Sequence, residues 1–356
     1  MYILLAILLL AILIVVHEQG HFWAARLTGI EVSEFAVGFG PKLFGWKSKK
    51  HETTFAIRAI PMGGYCAFYG EDDTTGEGQK DPRAFANQKL WKRMVTIVMG
   101  PGMNFILAFV VAAAFYWIGG VSTVTGVEPY ISEVMGAGPA YSAGLKAGDV
   151  IEEINGVNML DGTMETLTGT ISEWKEGDEP LTMTVRRGEE TLELAMTPVW
   201  DADEGKMRIG VIVGGRYIVE NQPVGLGGAL QSAWSLCVNA SGAILRSLKN
   251  LVTTGEGLDQ TAGPVGIVSM VSTEVRDGGA SAFIQLLALI SINLGLMNLL
   301  PIPGLDGSRL LFGVIEFIRR KPIPPEKEAM VHMAGMVFLF AVLIFFTFRD
   351  VTRLFG

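Results

Sequence analysis

The sequence predicts a polytopic α-helical membrane protein: four transmembrane helices, a cytoplasmic β-hairpin region and an inserted extracytoplasmic β-rich domain. Three observations carry that expectation. Of the 356 residues, 49% are hydrophobic and 18% charged, whereas an average soluble domain is about one-quarter charged. Four apolar stretches each approach the roughly 20 residues that cross a bilayer core. Between the second and third lies a long acidic stretch with strand-like alternation and turn residues. A net charge of -8 argues against a nucleic-acid partner, which needs a basic face. Two cysteines, Cys66 and Cys237, are too few for a disulfide scaffold. They are expected on different sides of the membrane and unpaired.

The first stretch is uncharged from Met1 to Val16 and runs on through His17-Glu18-Gln19-Gly20-His21 to Ala25. A cleaved signal peptide would need a cationic start and a small-residue cleavage site, and bulky Phe22-Trp23 follows instead. The second span is expected at 94–119, the third at 282–300 and the fourth at 330–348. A fifth segment, 225–252, is only moderately apolar and holds Arg246 and Lys249, which suits an amphipathic or interfacial helix. Cytoplasmic loops collect Lys and Arg. Lys42, Lys47, Lys49, Lys50, Lys89, Lys92 and Arg93 put the first loop inside, and Arg309, Arg319, Arg320, Lys321 and Lys327 do the same for the last. The acidic segment and both termini then face outward. The expected organisation is 1–121 (first span pair and hairpin loop), 122–200 (β-rich domain), 201–280 (linker and amphipathic helix) and 281–356 (second span pair). Residues 205–225 are expected as connectors.

Within 122–200, Asn155-Gly156 is a strong hairpin-turn signal. Leu181-Thr182-Met183-Thr184-Val185 alternates with period two, as a half-buried strand does. Chemistry concentrates in the first span. His17 and His21 stand four apart with Glu18 between them, so on a helix the two imidazoles share a face. That spacing lets both reach one Zn²⁺ at about 2.0–2.1 Å, with Glu18 placed as general base. Ionisable groups at membrane depth are expensive and mark function by default. A catalytic zinc commonly takes a third protein ligand. Asp306 is the candidate, because Pro301 and Pro303 break the chain before it and expose backbone that only a protein-lined or wet site tolerates. Position alone leaves an ordinary interfacial Asp equally open.

Ala143-Gly144-Leu145-Lys146-Ala147-Gly148-Asp149-Val150-Ile151 with Ile154-Asn155-Gly156 resembles a PDZ domain of the bacterial protease type. Over nearly its whole length the chain resembles the site-2 proteases, in the bacterial branch with one PDZ domain. His17-Glu18-x-x-His21 looks like that family's first metal motif, and Asn298-x-x-Pro301 through Leu305-Asp306-Gly307 like its second. Gly100-Pro101-x-x-Asn104-Phe105, Ile60-Pro61-x-Gly63-Gly64-Tyr65 and Gly263-Pro264-Val265-Gly266 look like further blocks in order. The resemblance implies an intramembrane zinc metalloprotease of the bacterial inner membrane with one Zn²⁺ per chain. His17, His21 and Asp306 would be ligands, Glu18 the catalytic base and Asn298 a contact to substrate backbone. Its substrates would be single-pass membrane proteins pre-cleaved by a site-1 protease, such as anti-sigma factors or remnant signal peptides. Gln19 departs from the pattern, where an apolar residue is usual.

A substrate helix must unwind before its carbonyls can be attacked, and an exposed strand can take over its hydrogen bonds. Residues 53–60 alternate enough to be that strand, with Ile57 on it and Gly63-Gly64 turning it. A plain structural hairpin is the competing expectation. The inserted domain is expected to filter substrates on the outer side. His51 and His332 are expected to be unrelated to zinc. The other classes are a catalytically impaired PDZ-containing scaffold, which only Gln19 favours, and a transporter, for which no inverted repeat is visible.

Overall fold

The computed structural model describes residues 1–49, 52–71, 81–136, 138–159, 164–202, 204–258 and 261–355. His51 lies outside them. The chain divides into two compact units, Met1–Gly119 with Val224–Gly356, and Gly120–Pro223.

The first unit is built on helices. Its helices are α1 (Tyr2–Thr28), α2 (Leu90–Gly119), α5 (Leu226–Thr253), α6 (Pro264–Leu299), α7 (Asp306–Arg319) and α8 (Pro325–Phe355). Four of them, α1, α2, α6 and α8, are long and apolar enough to cross a membrane. The amphipathic α5, without such a span, fits the expectation for 225–252. Two helices are longer than the apolar stretches that announce them. α6 begins well before 282, and its two halves are joined at Gly279, whose φ is 62°. α1, α2 and α6 pack on one another. Ala6, Leu9 and Leu13 of α1 meet Val271, Val275 and Leu287 of α6 in one buried cluster. Close approach is allowed by small residues, as between membrane helices generally.

Between α1 and α2 lies the hairpin of β1 (Val32–Lys47) and β2 (Thr54–Phe68). Both strands fold back, giving four antiparallel ribbons. Residues 32–37 pair on one side with 64–68 and on the other with 54–57, and 54–57 pair in turn with 44–47. This corrects the expectation for 53–60. Ile57 pairs with both Val37 and Phe44, so its ribbon is interior and its backbone groups are already taken. Among the described residues the edge ribbons are 44–47 and 64–68.

The second unit holds β3 (Val121–Val134), α3 (Pro139–Ser142), β4 (Val150–Ile154), β5 (Val157–Asn158), α4 (Met164–Ser172), β6 (Leu181–Arg187), β7 (Glu190–Met196), β8 (Val199–Asp201), β9 (Lys206–Arg208) and β10 (Val211–Gln222). Its main sheet runs β10-β3-β4-β6-β7, with β5 beside β4. Asn155 and Gly156 both have positive φ, 48° and 76°, in the turn from β4 to β5, the conformation a type I′ hairpin requires. Leu181, Met183 and Val185 point inward from β6 as the alternation requires. The expected connector at 205–225 differs. It carries β9 and β10, and β10 pairs with β3 along its whole length, Val211 opposite Val134 and Gln222 opposite Val121. Its inner residues are interrupted by Gly214 and Gly215, which hid the alternation.

Candidate metal centre

α1 places His17 and His21 one turn apart, both buried, with Glu18 buried beside them. The sequence between α6 and α7 brings the third group. α6 stops at Leu299, the prolines forbid its continuation, and the chain re-enters a helix at Asp306. Gly307 makes that reversal fit, because a Cβ there would lie 2.1 Å from the Leu300 carbonyl oxygen and 2.3 Å from that of Leu299. Asp306 thus stands in the first turn of α7, where the helix dipole favours a carboxylate.

The three groups converge. Asp306 Oδ2 is 3.1 Å from His17 Nε2 and 3.2 Å from His21 Nε2, and the two Nε2 atoms are 3.3 Å apart. Ligands held tetrahedrally at 2.0–2.1 Å from one zinc ion are about 3.3 Å apart. Asp306 Oδ2 is also buried without a hydrogen-bond donor among the described residues. Two imidazoles and a carboxylate are a donor set that zinc accepts, and these residues fit it.

α2 forms the back of the centre. His21 Nδ1 lies 2.9 Å from the Thr96 carbonyl, and His17 Nδ1 is 3.2 Å from the Asn104 amide. Gly100 gives the His21 ring its space, since a Cβ there would come within 2.2 Å of Nε2. The hairpin closes another side. Gly64 of ribbon 64–68 comes close to Ile14 and Glu18 of α1, so this edge ribbon lies beside the centre. A Cβ on Gly64 would sit 3.2 Å from Glu18 Cγ, and only glycine lets the ribbon come so near α1. Burial, with Glu18 nearby, pushes the Cys66 thiol up, so it stays protonated. Cys66 and Cys237 are both free.

The remaining candidates separate. Asn298 is half-buried in the last turn of α6, eight positions before Asp306. Ile57 is half exposed on the interior ribbon. Gly63, with φ of 102°, turns the chain into the edge ribbon, where the ring of Phe39 fills the space a side chain would need. His332 of α8 stands behind the Asp306 turn, its Nδ1 3.4 Å from both Ser308 Oγ and the Gly304 amide. It is no part of the ligand set but touches the loop that presents one ligand. Sequence reasoning missed Asn104 as a partner of His17. Its signal was present: a lone carboxamide inside an apolar span must have a reason to be there.

The profile of Peptidase family M50 matches residues 5–342. The regulator of sigma-W protease RasP of Bacillus subtilis is 34% identical, covering 98% of each chain. The zinc metalloprotease RasP of Bacillus licheniformis is 32% identical, again over 98% of each. Among solved structures, the PDZ domain of the SdrC-like protein of Listeria monocytogenes is 25% identical over 26% of this chain and 90% of that one, with a TM-score of 0.22.

Proposed function

The chain belongs to Peptidase family M50 and is an intramembrane zinc metalloprotease, and from that premise we propose that it cuts peptide bonds within or near the transmembrane segments of single-pass membrane proteins. The observation that carries this reading is the convergence of His17, His21 and Asp306 at 3.1–3.3 Å beside the buried Glu18. These three residues hold one zinc ion per chain. Bound there, zinc supplies Lewis-acid polarisation of the scissile carbonyl and activation of water. Glu18 takes the proton of the attacking water on its carboxylate and passes it to the leaving amine. Asn298 contacts substrate backbone from the end of α6.

An unwound substrate lies antiparallel along ribbon 64–68, the edge ribbon beside the centre, rather than along 53–60. Gly64 lets that edge come close to Glu18. N-methylating successive substrate amides should therefore slow cleavage with a period of two residues, and a uniform effect would remove the clamp. The loop cations put the zinc centre near the cytoplasmic side, and the second unit and both termini outside. The antiparallel sheet of Gly120–Pro223, with its PDZ-like Gly144–Asp149 turn, excludes substrates that a site-1 protease has not trimmed. Deleting it should release their cleavage. The sigma-W regulator among the relatives supports a membrane-bound regulator of transcription, such as an anti-sigma factor, as one substrate; remnant signal peptides have the same single-span chemistry.

The test is zinc content and cleavage of a model single-pass substrate by the detergent-purified protein and by Glu18→Gln. Both proteins should carry one zinc, and the parent should cleave, losing that ability to a chelator. The variant should be slower by roughly 10²–10⁴-fold, the usual contribution of a positioned acid–base group. Cleavage by Glu18→Gln at the parent rate would end this reading.

A further inference from the structure

Asn104 lies in α2 three residues past Pro101, and its side chain is fully buried. Its amide nitrogen, Nδ2, is placed 3.2 Å from His17 Nδ1. The other end, Oδ1, is buried without a hydrogen-bond partner among the described residues. Its backbone carbonyl accepts a hydrogen bond of 2.8 Å from Ser291 Oγ, which ties α2 to α6 at this residue. Asn104 is therefore held in place independently of its amide.

The two histidines have to be compared nitrogen by nitrogen. At His21, Nδ1 faces the Thr96 carbonyl at 2.9 Å. A carbonyl can only accept, so His21 carries its proton on Nδ1 and turns the Nε2 lone pair toward Asp306. His17 presents Nε2 to the same point, 3.1 Å from Asp306 Oδ2. For that nitrogen also to offer a lone pair to a cation, His17 must be protonated on Nδ1, and a buried N–H needs an acceptor. Asn104 is the group within reach. A half-turn of its amide exchanges NH₂ for oxygen, two groups of nearly equal size that are distinguished only by their hydrogen bonds. The same half-turn gives the isolated Oδ1 its partner and moves the NH₂ to the place Oδ1 occupied.

We infer that Asn104 is a positioning residue of the metal centre: through Oδ1 it accepts the Nδ1 proton of His17, and so fixes the tautomer and ring plane that present Nε2 to zinc. The inference rests on His17, His21 and Asp306 being the zinc ligands. It explains why a neutral carboxamide stands in an apolar span. A carboxylate there would add a buried charge, and an aliphatic side chain would leave Nδ1–H unpaired. His21 needs no such residue, because the backbone of α2 already supplies an acceptor.

The experiment uses the full chain in detergent, loaded with zinc and dialysed against graded chelator. Zinc content of the parent comes first: a parent that binds none removes the ligand assignment itself, and this inference with it. If the parent binds zinc, Asn104→Leu should hold it roughly 10–100-fold more weakly, the usual consequence of losing such an outer partner. Asn104→Asp keeps an acceptor at the same place and should retain zinc better than the leucine variant. The parent labelled with ¹⁵N-histidine gives a readout independent of how the variants fold. Zinc-loaded His17 should show an exchange-protected Nδ1–H. A leucine variant that binds zinc as tightly as the parent, an aspartate variant that loses it equally, or a His17 proton found on Nε2 would each overturn the assignment.

Discussion

The two units use apolar side chains in opposite ways. Gly120–Pro223 has a large apolar core: Ile131, Ile151, Ile154, Leu181, Met183 and Val185 form one buried cluster with Trp174. In the helical unit many of the largest apolar residues point outward, with Leu4 70% and Phe338 63% exposed, while the buried positions include His17, His21, Thr96, Asn104 and Ser291. Water explains the first arrangement and lipid the second. Hydrocarbon tails cover outward leucines as well as a protein interior would. What marks the inside of the helical unit is small residues, which permit close approach, and polar groups, which have somewhere to bond.

That contrast can be broken from either side, and the largest effect is expected at a small residue of the helical unit. Gly307→Ala puts a methyl against the carbonyls of Leu299 and Leu300, so the Asp306 turn must open. Zinc content and cleavage should both collapse, a loss at least as deep as Glu18→Gln gives in rate; full zinc occupancy in this variant would show that the turn has slack. In the sheet unit, a deletion from the core takes the place of an insertion. Ile151 is completely buried, so Ile151→Ala should destabilise Gly120–Pro223 by about 2–5 kcal/mol. Limited proteolysis of the full chain should show this unit cut faster while zinc stays bound.

A smaller effect concerns charge. Burial alone would raise the Asp149 carboxyl, but the Arg187 guanidinium, bonded to both oxygens at 2.7 Å, and the Lys146 amide outweigh it and hold it below its ordinary range. A depressed carboxylate contributes stability that is complete above its unfolded value of about 3.9 and disappears as pH falls through the lower folded value. Proteolytic protection of the sheet unit should therefore weaken below about pH 4, and Asp149→Asn should flatten that slope. The smallest effect should come from Leu4→Ala, on the lipid-facing side of α1. It should change thermal stability in detergent by about 0.5 kcal/mol or less, although the residue is as hydrophobic as Ile151. A large loss there would mean that another protein, and not lipid, covers this face.

The four spans of the first unit were legible because apolar length is a local property, and the Asn155-Gly156 turn and the β6 alternation were legible for the same reason, whereas the short α7 was not among the expected elements. The outer limits of the sheet unit were not. β10 has two glycines where alternation should continue, and its place is decided by pairing with β3, 77 to 101 positions earlier. The hairpin shows a similar limit. Period-two patterning pointed to 53–60 as a strand, but whether a strand lies at an edge depends on what lies on both sides of it. Residues 54–57 are flanked twice, and 64–68 once.

From its order of residues alone, the chain determined that two histidines and a glutamate share one turn of a membrane helix, since a period of 3.6 residues places i and i+4 on one face without help from elsewhere. The folded molecule decided the rest of the centre. Asp306 arrives from 285 positions beyond His21, Thr96 and Asn104 stand behind the imidazoles, and the ribbon at 64–68 lies beside Glu18. None of these neighbours is local, and each is selected by close packing of α1, α2 and α6 around residues small enough to let them meet.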